Sequence, residues 1–201
     1  MNLISTMNPL LSNLRNKKIV LASNSPRRQE LLKGLEVDFE VRVIDVDEKV
    51  PKDIQAEYVA AYLSKLKSES FTDELAANEI LITSDTVVIA GGHVLGKPNS
   101  EEEAFDMLKS LSGATHTVMT AVTFRDKTRQ ITLEDETKVT FRFLEEDEIW
   151  HYIRQYKPMD KAGSYGIQEW IGYMGVERIE GSYYNVMGFP LHLIYAQLKK
   201  W

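Results

Sequence analysis

The sequence has no cysteine, which excludes disulfides and thiolate metal sites and suits a reducing cytoplasm. No apolar run approaches the ~20 residues that a membrane-spanning helix needs. The first sixteen residues, MNLISTMNPLLSNLRN, lack a basic start and a long apolar centre, so no secretory signal is expected. Positive charge is in deficit. The formal net charge of −6 argues against a general binder of nucleic-acid polymers or membranes. The nucleotide fingerprints GxxxxGKS/T and GxGxxG are missing, and so are HExxH and GxSxG. No internal repeat or low-complexity linker interrupts the chain. What remains is 201 residues, 43% hydrophobic and 27% charged, enough for one domain or one domain with two lobes.

The pattern along the chain alternates strands and helices. KIVLAS is a short apolar run of strand type. Ser25 can cap a helix with Pro26 at its first position, running to about Lys33 and stopping at Gly34. FEVRVIDV alternates as a half-buried strand does. The spacing of Val59, Tyr62, Leu63 and Leu66 predicts a helix over about Asp53 to Ser70. EILITSDTVVIAGGHVLGKP reads as a buried strand, a second extended piece, a turn at Gly91-Gly92 and a short return strand. Ser100, with Glu103 three residues on, opens another helix. THTVMTAVTFRD and RQITLEDETKVTFRFL predict two long paired strands. EEDEIWHYIRQY is helical up to Pro158, and a last helix starts near Pro190 with Leu191, Ile194, Tyr195 and Leu198 on one face. The fold class is mixed α/β. Residues 1–16 form an N-terminal extension, read as a partial helix, with Met7 an alternative start. Residues 17–201 form the single domain.

Arg27 and Arg28 stand in the first turn of the predicted α-helix, where cations are unfavourable by about 0.3–1 kcal/mol each. An anion arriving at that helix start would reverse the sign, since free N–H groups and the dipole favour phosphate there. A surface turn whose arginines pair with nearby acids explains them equally well. Asp85 lies inside an apolar run, where a carboxylate is costly unless it is paired, metal-bound or at a strand end facing a cleft. It is the best candidate for a general base or metal ligand, against a turn or cap role. Lys97, in GKP, can return towards Asp85, and Lys67 flanks the apolar stripe of its helix. For both, a solvated surface role is the simpler reading. Asp45, Asp47 and Glu48 have the chemistry for a hard cation such as Mg²⁺, although an acidic loop is usually only solvated. The four histidines (His93, His116, His151 and His192) show no metal-binding spacing. The three tryptophans read as core or interface residues. Gln168 offers both a donor and an acceptor, and so can read an amide edge.

Taken together, the stretches LASNSPRRQELL, VIDVDE, LSKLK, ITSDTVV, GKP, LSGATHTVMTAV, DKAGSYGIQ and GSYYNVMGFPL resemble the Maf family of nucleotide pyrophosphatases, in order and from about Lys18 to the end. The resemblance implies a mixed, elongated sheet with flanking helices, in two lobes around a central cleft. It implies hydrolysis of a nucleoside triphosphate to the monophosphate and pyrophosphate, with a divalent cation (Mg, Mn or Co) as cofactor. It places the catalytic carboxylate at Asp85, metal contacts at Glu48 and Asp85, and phosphate contacts at Ser23, Arg28, Lys67 and Lys97. Arg27, Thr86 and Gln168 together resemble the branch acting on dTTP and UTP. The implied partner is the nucleotide alone, with no nucleic-acid polymer or membrane, a homodimer left open and the cytoplasm as location. Three departures stand out. The extension is long, Ser64 and Ser68 replace small apolar residues around the helix lysine, and Glu169-Trp170 follows Gln168 where glycine is common. Two other functions stay open: a nucleotide-sensing regulator of cell division without turnover, and a pyrophosphatase for modified nucleotides. Loss of Asp85 or Lys97 would mark the sensor, and both are present.

Overall fold

The computed structural model describes residues 8–71 and 75–201. Met7 and the start of the extension lie outside the described residues. Among the described residues one mixed sheet holds β1 (Lys18–Leu21), β2 (Phe39–Val41), β3 (Glu79–Ala90), β4 (His93–Leu95), β5 (Thr115–Arg125), β6 (Gln130–Phe141) and β7 (Val176–Glu180). The order is β2-β1-β3-β5-β6-β7, with β4 attached to β3. β1 runs parallel to β2 and β3, and every other pairing is antiparallel. The helices are α1 (Pro26–Gly34), α2 (Val59–Ser70), α3 (Glu101–Leu111), α4 (Glu146–Tyr156), α5 (Trp170–Gly175), α6 (Tyr183–Val186) and α7 (Leu191–Leu198). Ser25 caps α1 as its sequence predicts, with its hydroxyl accepting the Arg28 N–H at 3.4 Å.

Side chains along a strand alternate between faces, and on β3 this alternation organises the whole molecule. Ile80 and Ile82 join a core with α1, α7 and the far end of β5. Val88, on the same face, joins a second core with α3, α4 and α5. These two cores are the two lobes. Between them the face is polar: Thr86 bonds Thr120, Thr120 donates to the Asn185 carbonyl, and the Asn185 amide reaches Val118 O and Thr137. The opposite face of β3 lies under α2. There Val87 packs with Val59, Ala60, Ala61 and Leu63.

Several elements differ from their sequence pattern. β2 is only three residues long, because β1, its neighbour, ends at Leu21. The rest of FEVRVIDV leaves the sheet. α2 begins at Val59, later than the expected Asp53, after a short 3-10 turn at Ala56–Tyr58 that no side chain caps. Its buried face includes Ser64 and Ser68, whereas Tyr62 and Leu66 are only half-buried. Ser64 bonds Thr83 and Thr123, and Ser68 donates to Gln130 at 3.0 Å. These serines are therefore satisfied polar groups pressed on the sheet. The extension contributes a 3-10 helix at Pro9–Leu14 whose Leu11 and Leu14 are buried in the first core.

His116, on β5, is buried and shares a 2.7 Å hydrogen bond with the Tyr165 hydroxyl, while its Nδ1 has no partner. Phe141 and Tyr165 meet its ring edge-on. Burial pulls the imidazole down to about 4. The folded state thus holds it neutral, while the unfolded chain takes up a proton below about pH 6.5. Stability is therefore lost as pH falls from about 6.5 towards 4, by about 2 kcal/mol at pH 5. Denaturant unfolding at pH 7 and pH 5 should show this loss in the native protein and a much smaller one in His116→Gln. Equal pH dependence in both would exclude His116 as its source.

Candidate active site

β3 is paired discontinuously along one edge. β1 covers Glu79–Ile82 and β4 covers Val88–Ala90, and among the described residues no strand lies against those between on that side. β1 gives its last ladder bond from Ala22 N to Ile82 O at 2.9 Å, then turns away at Ser23-Asn24 into α1. The next carbonyl on that edge, Ser84 O, still needs a donor. Arg28 supplies it: Nη1 donates to Ser84 O at 2.8 Å, Nη2 to Thr86 Oγ1 at 3.1 Å and Nε to Gly188 O at 2.9 Å. One guanidinium fork takes the place of a missing strand and ties α1, β3 and the loop before α7 together. Gly188 has φ +94, and a Cβ there would lie 3.1 Å from Thr86 Oγ1, so glycine permits the close approach. Three of the five Arg28 N–H groups are thereby committed to protein acceptors.

Asp85 sits in the middle of this unpaired segment, and of the three settings its sequence left open (paired, metal-bound or at a strand end) the structure shows it paired and mid-strand. Its side chain points to the α2 face, where Lys67 Nζ donates to Oδ1 at 2.5 Å. The same ammonium pairs with Glu48 at 3.0 Å. A buried carboxylate, a lysine and a half-exposed carboxylate thus form one chain. Burial pushes the Asp85 carboxyl up from the ordinary range. Lys67 and Arg28 pull against this, and the negative charge of Glu48 adds to it. Asp85 and Glu48 offer hard oxygen donors of the kind that bind Mg²⁺ through one or two carboxylates plus phosphate oxygens, so their chemistry fits a divalent cation. Among the described residues no cluster of three or more His, Cys, Asp or Glu forms a metal cage, so the other ligands would come from substrate and water.

The gap opens into a cavity of about 480 Å³, within the range of small-molecule sites. Ser23, Arg27, Arg28, Glu48, Lys67, Asp85, Thr86, Lys97 and Gln168 all line it, so chain segments more than a hundred residues apart converge there. Asp45 joins them, whereas Asp47 is an exposed loop residue paired with Lys49. Ser23 is buried and its hydroxyl accepts the Ser25 N–H at 3.2 Å. Lys97 is exposed on the loop after β4, which the Gly163 N to Gly96 O bond fixes at 3.0 Å. Reasoning from residue type missed Ser84, Asp160, Lys161 and Tyr165, which also line the cavity. The buried Ser84 hydroxyl has no partner. Nothing in its local sequence marks it, because the missing strand that exposes it is a tertiary feature.

Residues 18–201 match the family model described as Maf-like protein, and the chain belongs to that family. It is 50% identical over 189 residues to a protein of Flavobacterium johnsoniae named dTTP/UTP pyrophosphatase, covering 94% of this chain and 97% of that one. It is 50% identical over 191 residues to one of Parabacteroides distasonis with the same name, covering 94% and 99%. A Porphyromonas gingivalis protein of that name is 48% identical over 193 residues, covering 94% and 97%. Among solved structures, the Ham1 protein of Staphylococcus aureus shares the fold, with a TM-score of 0.52 over 92% of this chain and 99% of that one, at 17% identity. The expected mixed sheet with flanking helices and two lobes is therefore the architecture of this chain.

The fork geometry of Arg28 gives a direct test. Arg28→Lys keeps the charge but cannot span three acceptors, leaving some of Ser84 O, Gly188 O and Thr86 Oγ1 short of a donor. Stability should fall by about 3 kcal/mol, as for loss of hydrogen bonds to a charged group. Urea denaturation measures it. An unchanged midpoint would show that the bracket contributes nothing to the fold.

Proposed function

We propose that this chain hydrolyses nucleoside triphosphates, dTTP and UTP in preference, to the nucleoside monophosphate and pyrophosphate. The observation that carries the reading is the Asp85–Lys67–Glu48 chain facing the same cavity as the start of α1, Arg27, Arg28 and Lys97. A carboxylate that can accept a proton stands beside a concentration of positive charge. The names of relatives about half identical over nearly their whole length support the same reaction.

The triphosphate would lie at the start of α1, where the helix dipole favours anions. Arg27, Lys97 and the uncommitted Arg28 N–H groups would offset its charge. Phosphoryl chemistry depends mainly on such positioning and charge stabilisation. Asp85 would accept a proton from the water that attacks the α-phosphorus, as its oxygen to the β-phosphorus departs with pyrophosphate. Lys67 donates to the Asp85 carboxylate, which aims it and works against the rise that burial imposes. Glu48 and Asp85 would hold a divalent cation, which supplies further neutralisation of the phosphate oxygens when bound. Thr86 and Gln168 also line the cavity, and the base would lie against them. The Gln168 amide matches the carbonyl and imide N–H on one edge of thymine and uracil. Adenine and cytosine present another order there, leaving buried polar groups unpaired. The proposed place of action is the cytoplasm, where such triphosphates are made and used.

A panel of nucleoside triphosphates with Mg²⁺, Mn²⁺ or Co²⁺ tests the reading. Pyrophosphate and monophosphate should appear fastest from dTTP and UTP. Orthophosphate with a diphosphate would mean cleavage at the terminal phosphate and contradict it, and no turnover with any metal would favour a sensor. Asp85→Asn should fold normally and lose about 10²–10⁴-fold in turnover, the usual cost of one general acid–base group. Near-normal turnover in a folded Asp85→Asn would remove Asp85 from that role.

A further inference from the structure

Gln168 occupies a tight turn. The Glu169 N–H closes it by donating to Gly166 O at 2.9 Å, leaving Ile167 and Gln168 as the two central residues. The turn is also held from outside by the Glu169 side chain. One carboxylate oxygen accepts the Tyr152 hydroxyl of α4, and the other pairs with Lys161 Nζ at 3.2 Å. The Tyr152 oxygen in turn accepts the Gly166 N–H at 3.0 Å. Gly166 faces this carboxylate directly: a Cβ there would stand 2.8 Å from Glu169 Cδ, so the turn is built around the acid. Tyr152 is fully buried and Lys161 nearly so, and each is a costly polar group unless partnered. Glu169 partners both.

The same ion-pair chain reaches the other side of the cavity. Lys161 pairs with Asp160 at 2.7 Å, and Asp160 lies 3.8 Å from Arg27 on α1. Glu169, Lys161 and Asp160 thus connect the turn bearing Gln168 to Arg27, across the mouth of the cavity between the two lobes. None of these three takes part in the attack at phosphorus proposed above.

We propose that Glu169 is a specificity-positioning residue. Clamped by Tyr152 and Lys161, it fixes the Gly166–Glu169 turn so that the Gln168 amide meets the base in one orientation. This rests on the pyrophosphatase reading and goes beyond it by assigning base selection to a residue that does not itself touch the base. The clamp acts on the base end of the site, and at the phosphate end Asp160 still pairs with both Lys161 and Arg27 when Glu169 is removed.

The test compares kcat/KM for dTTP and dCTP in the native protein, Glu169→Ala, Glu169→Gln and Tyr152→Phe, with inhibition by inorganic pyrophosphate measured in each. Glu169→Ala should lower the dTTP-to-dCTP ratio about tenfold, mainly through a higher KM for dTTP. Pyrophosphate inhibition should be unchanged. Glu169→Gln keeps an acceptor for Tyr152 and should recover part of the ratio. Tyr152→Phe leaves the ring in place and removes only the hydroxyl, so it should lower the ratio about threefold even if Glu169→Ala does not fold. An unchanged ratio in folded Glu169→Ala or in Tyr152→Phe overturns the clamp and leaves the pyrophosphatase reading standing. Equal weakening of dTTP, dCTP and pyrophosphate also overturns it. A native protein that hydrolyses neither triphosphate overturns both.

Discussion

A strand with a gap along one edge is the constraint on which this structure depends. β3 runs unbroken for twelve residues, but β1 leaves it before β4 arrives. Backbone groups stranded mid-sheet would normally be covered by another strand or left to water. Here an arginine from α1 bonds one carbonyl and one hydroxyl at the gap and lets the rest open into a cavity. The Arg28 charge in the first turn of α1 is thereby explained without a ligand. The fork reaches two carbonyl oxygens and one hydroxyl and leaves two N–H groups uncommitted to these acceptors.

The alternation of β3 then separates two tasks. Side chains on one face look towards α2, and there Asp85 meets Lys67 and Glu48. Side chains on the other face look into the polar strip between the lobes, where Thr86 meets Arg28 and Thr120. Consecutive residues therefore serve opposite sides of one cavity, with the Lys67 ion pairs on one side and the hydrogen-bonded polar strip on the other. The two apolar cores on either side of the strip hold these positions firmly, since packed interiors resist small displacements.

Much of this was legible in the sequence because it is local. The Ser25-Pro26 cap, the β-branched alternation of β5 and β6, and the Gly91-Gly92 turn each carry their own signal and fold as read. Asp85 was legible as an anomaly, one carboxylate in an apolar run, but its mid-strand position was not, because the gap depends on where a distant strand ends. Ser64 and Ser68 lie off the apolar stripe read from the sequence, yet they face the sheet, since the Thr83 carbonyl, the Thr123 hydroxyl and the Gln130 amide oxygen satisfy their hydroxyls. Leu11 and Leu14 read as an appendage and are core. The Tyr152–Glu169–Lys161 clamp draws on α4 and on the loop that follows it, and no spacing within either segment announces it.

The central claim is that the gap presents Asp85 to a water aimed at the α-phosphorus. Hydrolysis of dTTP in ¹⁸O-labelled water, followed by mass spectrometry of both products, tests it most directly. Attack at the α-phosphorus places one ¹⁸O in the nucleoside monophosphate and none in pyrophosphate, which is the predicted result. Label in pyrophosphate, with unlabelled monophosphate, would show attack at the β-phosphorus and contradict the placement of Asp85 that the fold has been argued to provide.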